Sequence, residues 1–220
     1  MKFNTLKKQL TLIIFVLSIG QIYAQDTTET QIYQPPIPVE VMIGNNSSMY
    51  QMVVIKQIMN SKFKFYNLTS YEVDYDETTP DYYYLQTIIS YDLPKGFGIG
   101  IGANLQLYNA FKPLVAVSYS HFTESTGFVL QPSYEIHKDG AFELYSLFEW
   151  TPTNKKKIQP YFKVSVYSAF KDEHSYSYHN WRLGINYKSF RIGSAMNVQY
   201  YGKDAASNYN FGGFVNFLIN

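Results

Sequence analysis

The chain has 220 residues, a nearly balanced charge of 18 basic against 17 acidic side chains, and no cysteine. The balance gives no electrostatic case for a nucleic-acid partner. The missing cysteines exclude disulfide staples, a thiol nucleophile, Cys-ligated zinc and a lipid-modified cysteine anchor. Aromatics make up 18% of the residues, with 22 Tyr and 16 Phe but two Trp. So much tyrosine suits surfaces that are apolar at one end and wet at the other, because a buried hydroxyl needs a partner.

In chain order, the first element is an export signal. Lys2, Lys7 and Lys8 precede an apolar run from Leu10 to Ile19, and Ile22-Tyr23-Ala24 ends on a small residue. This is the order of a secretory signal peptide (residues 1–24) cleaved near Ala24. The run is too short for the roughly 20 residues a membrane helix needs. Cleavage would leave 15 basic and 17 acidic residues. Residues 25–37 are polar and then broken by Pro35-Pro36, and read as a flexible leader.

From residue 38 to 220 the signal is period two, the spacing of a β-strand with unlike faces. Val39, Val41 and Ile43, then Met52 to Ile55, then Phe63 to Tyr75 give a blurred beginning. Tyr83, Leu85, Ile89 and Tyr91 follow on one face. The clearest segment is Phe97 to Leu107, where every odd position is apolar and Gly98, Gly100 and Gly102 lie between. Those glycines belong to a strand, not to a phosphate loop, because no helix start follows. Val115, Val117 and Tyr119 continue the series. Phe128, Leu130 and Tyr134 oppose Gln131, Ser133 and Glu135; Phe142, Leu144, Phe148 and Trp150 oppose Glu143, Tyr145 and Glu149. Phe162, Val164, Val166 and Phe170 oppose Lys163, Ser165 and Tyr167. Trp181, Leu183, Ile185 and Tyr187 oppose Arg182 and Asn186. Phe190, Ile192, Met196, Val198 and Tyr200 oppose Arg191, Asn197 and Gln199, and Tyr209, Phe211, Val215, Phe217 and Ile219 close the chain. Leu93 to Gly96, His137 to Gly140 and Tyr187 to Ser189 read as tight hairpin turns; Asp76 to Pro80 and Gly202 to Asn208 are longer.

This predicts an all-β fold, a closed antiparallel transmembrane β-barrel of about twelve strands, with ten if the first segments merge. Segments of about 10 to 13 residues exceed the usual 5 to 6 of soluble strands and match a tilted membrane strand. Tyr82, Tyr83, Tyr84, Trp150, Trp181, Tyr200, Tyr201 and Tyr209 are the expected aromatic girdle. Export signal, long alternating strands and the chain's end within a strand resemble the small outer-membrane β-barrels of Gram-negative bacteria. The resemblance is architectural, without a family motif. Many such barrels end on an aromatic residue, whereas here Phe217 stands three residues before Asn220. It implies location in the outer membrane, both termini on the periplasmic side, and Gly202 to Asn208 and Lys171 to Tyr176 as extracellular loops. It also leaves Lys155-Lys156-Lys157 on the periplasmic side, an atypical place for a lysine run.

Glu135, Glu143, Lys163, Arg182 and Arg191, with Glu72, Asp74 and Glu149, are the charged candidates for the lumen. Both signs are present, which favours pairing across the lumen over a filter of one sign. For catalysis the weak candidates are His174, Ser175, Ser177 and His179, a local cluster of the groups used in acyl transfer, with Asp172-Glu173 nearby. Asp74, Asp76 and Glu77 near Asp81 lack the glycine and spacing of a calcium loop and imply no metal. The expected partners are outer-membrane lipid and other envelope proteins, with no cofactor. The first functional expectation is a non-enzymatic, porin-like barrel, either a narrow channel or a structural or accessory subunit of an envelope complex. The alternatives are a barrel enzyme acting on lipid at the membrane rim and a soluble periplasmic β-protein that binds an apolar ligand.

Overall fold

In the computed structural model the described residues are 34–59, 61–76, 81–106, 111–153 and 156–219. The expected signal peptide and most of the expected leader lie outside them, as do residues 77–80, Leu107 and Lys155. Twelve strands follow one another: β1 (Ile37–Gly44), β2 (Ser47–Gln57), β3 (Phe63–Asp74), β4 (Tyr82–Asp92), β5 (Phe97–Gln106) and β6 (Lys112–Phe122), then β7 (Thr126–Glu135), β8 (Phe142–Trp150), β9 (Ile158–Phe170), β10 (His174–Tyr187), β11 (Phe190–Tyr201) and β12 (Ala206–Ile219). Each pairs antiparallel with its neighbour in sequence, and β1 pairs with β12, from Ile37 opposite Ile219 to Gly44 opposite Gly212. The sheet is therefore a closed barrel of twelve strands. Closure supplies partners for the backbone donors and acceptors that an open edge would expose.

The blurred stretch near the start resolves into β1, β2 and β3, so the strand number is twelve rather than ten. Alternation assigns the faces. Val41, Ile43, Phe97, Ile99, Ile101, Val115, Val117, Leu183, Ile192 and Phe211 are exposed on the outside, while Glu40, Met42, Leu114, Ala116, Asn180, Arg182 and Asn216 are buried inside. A barrel whose outside is apolar and whose inside holds its charges is inverted relative to a water-soluble protein.

Both ends of the paired sheet lie at one mouth, together with the turns after β2, β4, β6, β8 and β10; we term it the terminal mouth. The turn after β10 is the two residues Lys188-Ser189, with Lys188 in the left-handed region at φ 55°. Strands β6 and β7 pair from Leu114 to Ala116 and again from Tyr119 onward. The interval lies opposite Pro132, which has no N–H to give.

At the opposite mouth, the β1–β2 turn is sewn to β12. Asn45 N donates to Phe211 O at 2.9 Å, and Asn46 Nδ2 donates to Tyr209 O at 2.7 Å. Buried Asn210 completes the seam: its Oδ1 accepts from Asn46 N at 3.1 Å, and its Nδ2 donates to Ser47 O at 3.1 Å and Ser47 Oγ at 2.6 Å. The Asn210 amide lies over Gly44, where any Cβ would collide with it. Gly44→Ala and Asn210→Ala are each expected to destabilise the barrel by about 1–3 kcal/mol. In urea unfolding from detergent their effects should be less than additive, because both release the same clamp.

Candidate functional site

Among the described residues, most of the buried charged and polar side chains that the strands bring together face the lumen. Its centre begins at Glu40, which the β1 alternation aims inward between outward Val39 and Val41. Glu40 accepts from Lys163 Nζ on β9 at 2.9 Å and from Arg182 Nε on β10 at 2.8 Å, and all three side chains are buried. Asn216 Nδ2 adds a fourth strand at 3.3 Å, and Arg182 Nη1 continues to Asn197 Oδ1 at 2.8 Å. Arg182 also lies 5.8 Å from the centroid of Phe214. Toward the terminal mouth, Arg191 pairs with Glu149 at 2.8 Å and stands 4.4 Å from the ring centroid of Tyr161, whose hydroxyl donates to Glu149 at 3.2 Å.

Two apolar clusters fill the wall-to-wall space beside these ions. One is Met42, Met49, Tyr161, Ala195 and Phe214; the other is Tyr66, Leu68, Tyr84, Ile88, Leu114 and Ala116. On the side of the opposite mouth, Glu143 accepts four hydrogen bonds from three donating groups. Asn104 Nδ2 reaches both of its oxygens at 2.9 and 3.1 Å, Ser133 Oγ one at 3.1 Å, and the Tyr167 hydroxyl the other at 2.6 Å. Gln86 and Tyr84 donate in turn to Asn104 Oδ1. Glu135 pairs with Lys112 at 2.9 Å and accepts from Ala141 N at 3.1 Å, which ties the β7–β8 loop to the wall.

Space remains at three levels. A vestibule of about 440 Å³ opens at the opposite mouth, bordered by Glu72, Asp74, Glu135, Glu143, Lys112 and the rings of Tyr82, Tyr167, Tyr176 and Tyr201. Below it a chamber of about 50 Å³ is lined by Gln51, Ser70, Tyr145, Ser165, Tyr178 and Asn180. The chamber shares Glu72, Tyr82, Tyr167 and Tyr176 with the vestibule. A third cavity of about 80 Å³ lies at the terminal mouth, between Arg191, Glu149 and Lys163 and the segment Pro35-Pro36. It meets the chamber at Gln51 and Tyr145. The Oδ1 atom of Asn180 is buried at the chamber wall without a hydrogen-bond partner, and about 50 Å³ has room for a water molecule to bond it.

The structure places the five lumen candidates, Glu135, Glu143, Lys163, Arg182 and Arg191, inside the barrel and buried. It does not bring them into a single group: Lys163 and Arg182 meet at Glu40, Arg191 meets Glu149, and Glu135 and Glu143 stand on the vestibule side. Glu40 and Lys112 escaped sequence reasoning. For Glu40 the signal was present, a lone acid between two valines of a strand. The aromatic girdle is smaller than expected. Tyr82, Tyr84 and Tyr201 border the internal cavities instead; three successive tyrosines on one strand cannot all face outward. Tyr83, Trp150, Tyr200 and Tyr209 face outward near strand ends, whereas Trp181 faces outward midway along β10. Among the described residues no group of acids and histidines could hold a metal ion.

Of the catalytic candidates, His174 and Ser177 meet at 2.8 Å. Ser175 lies at the bulge between them and borders the vestibule. His179, two residues further along the same face, meets Tyr200 at 5.0 Å between ring centroids and makes no hydrogen bond to that pair.

Removing Glu40 would strand two buried cations. Glu40→Ala is expected to cost about 3–5 kcal/mol, since breaking a buried pair by deleting one partner leaves uncompensated charge. Lys163→Met should cost less, because Arg182 still neutralises Glu40. Guanidinium unfolding monitored by tryptophan fluorescence checks the order.

No protein-family model matches the chain, and no curated protein matches it in sequence. Solved structures do resemble it. The NanC porin superposes with a TM-score of 0.50 at 12% identity, covering 84% of this chain and all of that one. The KdgM porin gives 0.46 at 12% identity, over 84% of this chain and 99% of the other. LpxR from Salmonella typhimurium gives 0.43 at 6% identity, over 82% and 99%. The chain thus shares the porin barrel fold of NanC, as the architectural resemblance implied.

Proposed function

We propose that this barrel is a narrow passive channel of the outer membrane for water, ions and small polar solutes. The observation that carries the reading is the series of three cavities with shared walls: vestibule, chamber, and the cavity at the terminal mouth. Glu72, Tyr82, Tyr167 and Tyr176 border both of the first two and Gln51 and Tyr145 both of the last two, and in this reading rotamer changes of these side chains connect the mouths. Eight-stranded barrels are filled by their side chains and wide water channels appear by about sixteen strands. Twelve strands with tyrosine baffles fall between these limits. The apolar outside supports the location, and the fold shared with a porin supports the class. In this reading the termini face the periplasm and the vestibule faces the exterior.

Purified protein in planar bilayers should give small single-channel currents, and Gln51→Ala with Tyr145→Ala should raise them several-fold. Silent bilayers for both proteins, with heat-modifiable gel migration showing each to be folded, would refute the channel. The location makes a separate prediction. Ile101 is 70% exposed near the middle of β5, so Ile101→Arg should cost about 2–4 kcal/mol when the barrel folds into lipid vesicles. Ile101→Ala should cost much less. Equal costs in lipid for the arginine and the alanine would count against a membrane-facing outside.

A further inference from the structure

The geometry points to a second, catalytic site on the outer face of the barrel: Ser177 as nucleophile, His174 as general base and the Gly202 carbonyl as the group that orients it. Its substrate class is a long-chain acyl ester of a membrane lipid. This goes beyond the channel reading and does not depend on it.

The site is made by an irregularity of β10. His174 pairs with Phe170 of β9, the register then slips at Ser175, and from Tyr176 opposite Ala169 onward the pairing is regular. In an unbroken strand, residues three apart face opposite ways. The slip adds one residue, so His174 and Ser177 share the outer face while Tyr176 and Tyr178 point into the lumen. Bulges of this kind re-aim side chains.

The hydrogen bonds then fix the roles. His174 Nδ1 lies 2.6 Å from Gly202 O on the β11–β12 turn. A carbonyl only accepts, so Nδ1 carries the proton and Nε2 presents its lone pair. That Nε2 is 2.8 Å from Ser177 Oγ. The nucleophile and base are within reach, and a third group holds the base in the required tautomer, which is the arrangement that activates a serine. In this structure Ser177 Oγ donates to Ser168 Oγ on the neighbouring strand at 2.8 Å, and rotation about the Cβ–Oγ bond turns the same proton to His174 Nε2 when the site acts. Phe170 meets the His174 ring edge-on at 5.7 Å and limits its swing.

Position names the substrate. On the outer face Ser177 and Ser168 are short side chains among larger neighbours, His174, Phe170, His179 and Tyr200, and Ser177 is 6% exposed. The pair stands near the end of the strands, with Val166 and Phe170 beside it on the same face. An apolar chain can lie along that face with its ester at the level where a bilayer becomes polar. In the reaction, Ser177 Oγ forms a bond to the acyl carbon while His174 Nε2 takes its proton. The tetrahedral adduct expels the lipid alcohol, which receives that proton from Nε2. Water then attacks the acyl-serine, gives its proton to Nε2, and releases the fatty acid with Ser177 regenerated.

The test uses full-length protein folded in phospholipid–detergent micelles, with heat-modifiable migration as the control for folding. A long-chain fluorophosphonate should label Ser177, located by peptide mass spectrometry. Release of fatty acid from the micellar phospholipid should fall at least about a hundredfold in Ser177→Ala and in His174→Asn. Ser146→Ala, on the outer face of β8, should leave both readouts unchanged. Folded protein that neither labels at Ser177 nor hydrolyses phospholipid would overturn the assignment, as would hydrolysis that survives Ser177→Ala. Should Ser177→Ala not fold, labelling of the native protein and the His174→Asn rate decide the matter.

Discussion

The return of β1 to β12 is the constraint from which the remaining architecture follows. A strand carries a donor and an acceptor at almost every residue, and hydrocarbon offers neither. The seam from Ile37 opposite Ile219 to Gly44 opposite Gly212 satisfies the last free edges, and it does so only if the two backbones can approach closely. Glycine at position 44 leaves room for the Asn210 amide, which in turn holds the β1–β2 turn against β12. Polar side chains are thus used at the place where the sheet would otherwise open.

Closure also decides what the inside must be. Twelve strands surround more space than a few apolar residues can fill, and half of every strand points into it. The chain answers with two apolar clusters and with ions that neutralise one another across strands far apart in sequence. Glu40 and Arg182 are 142 residues apart, yet they bond at 2.8 Å. Such a pair adds little net stability over apolar packing, but it makes the wrong neighbour costly, because either charge alone would be buried unpaired. The pair therefore fixes which faces of β1, β9 and β10 converge. What the ions and rings leave unfilled is the series of cavities.

Much of the barrel was readable from residues in order. Period-two alternation in segments such as Phe97 to Leu105 marked which side faces outward, and the tight separator Tyr187 to Ser189 marked a hairpin. The girdle failed in part for a local reason: Tyr82, Tyr83 and Tyr84 look alike as composition, but the pleat sends Tyr83 outward and its neighbours inward. The interior pairs were legible as charges and illegible as partners. Glu149 could have met Lys163, directly across the ladder, and instead binds Arg191 three strands along the sheet. Ser177 and His174 stand close in sequence to Ser175 and His179, and distance along the chain does not separate the two that meet from the two that do not.

By itself the amino-acid sequence determined the secondary structure, the inside and outside of most strands, the approximate strand number and the absence of covalent staples. These are properties of a pattern that each strand carries alone. The tertiary structure decided the closing seam, the Glu40 centre, the adjoining cavities and the meeting of His174 with Ser177. Each of these depends on register between strands, or on one extra residue in a bulge. A slip of one residue turns every side chain of a strand to the other face. Register is set by the whole closed sheet, so no single segment could have announced it.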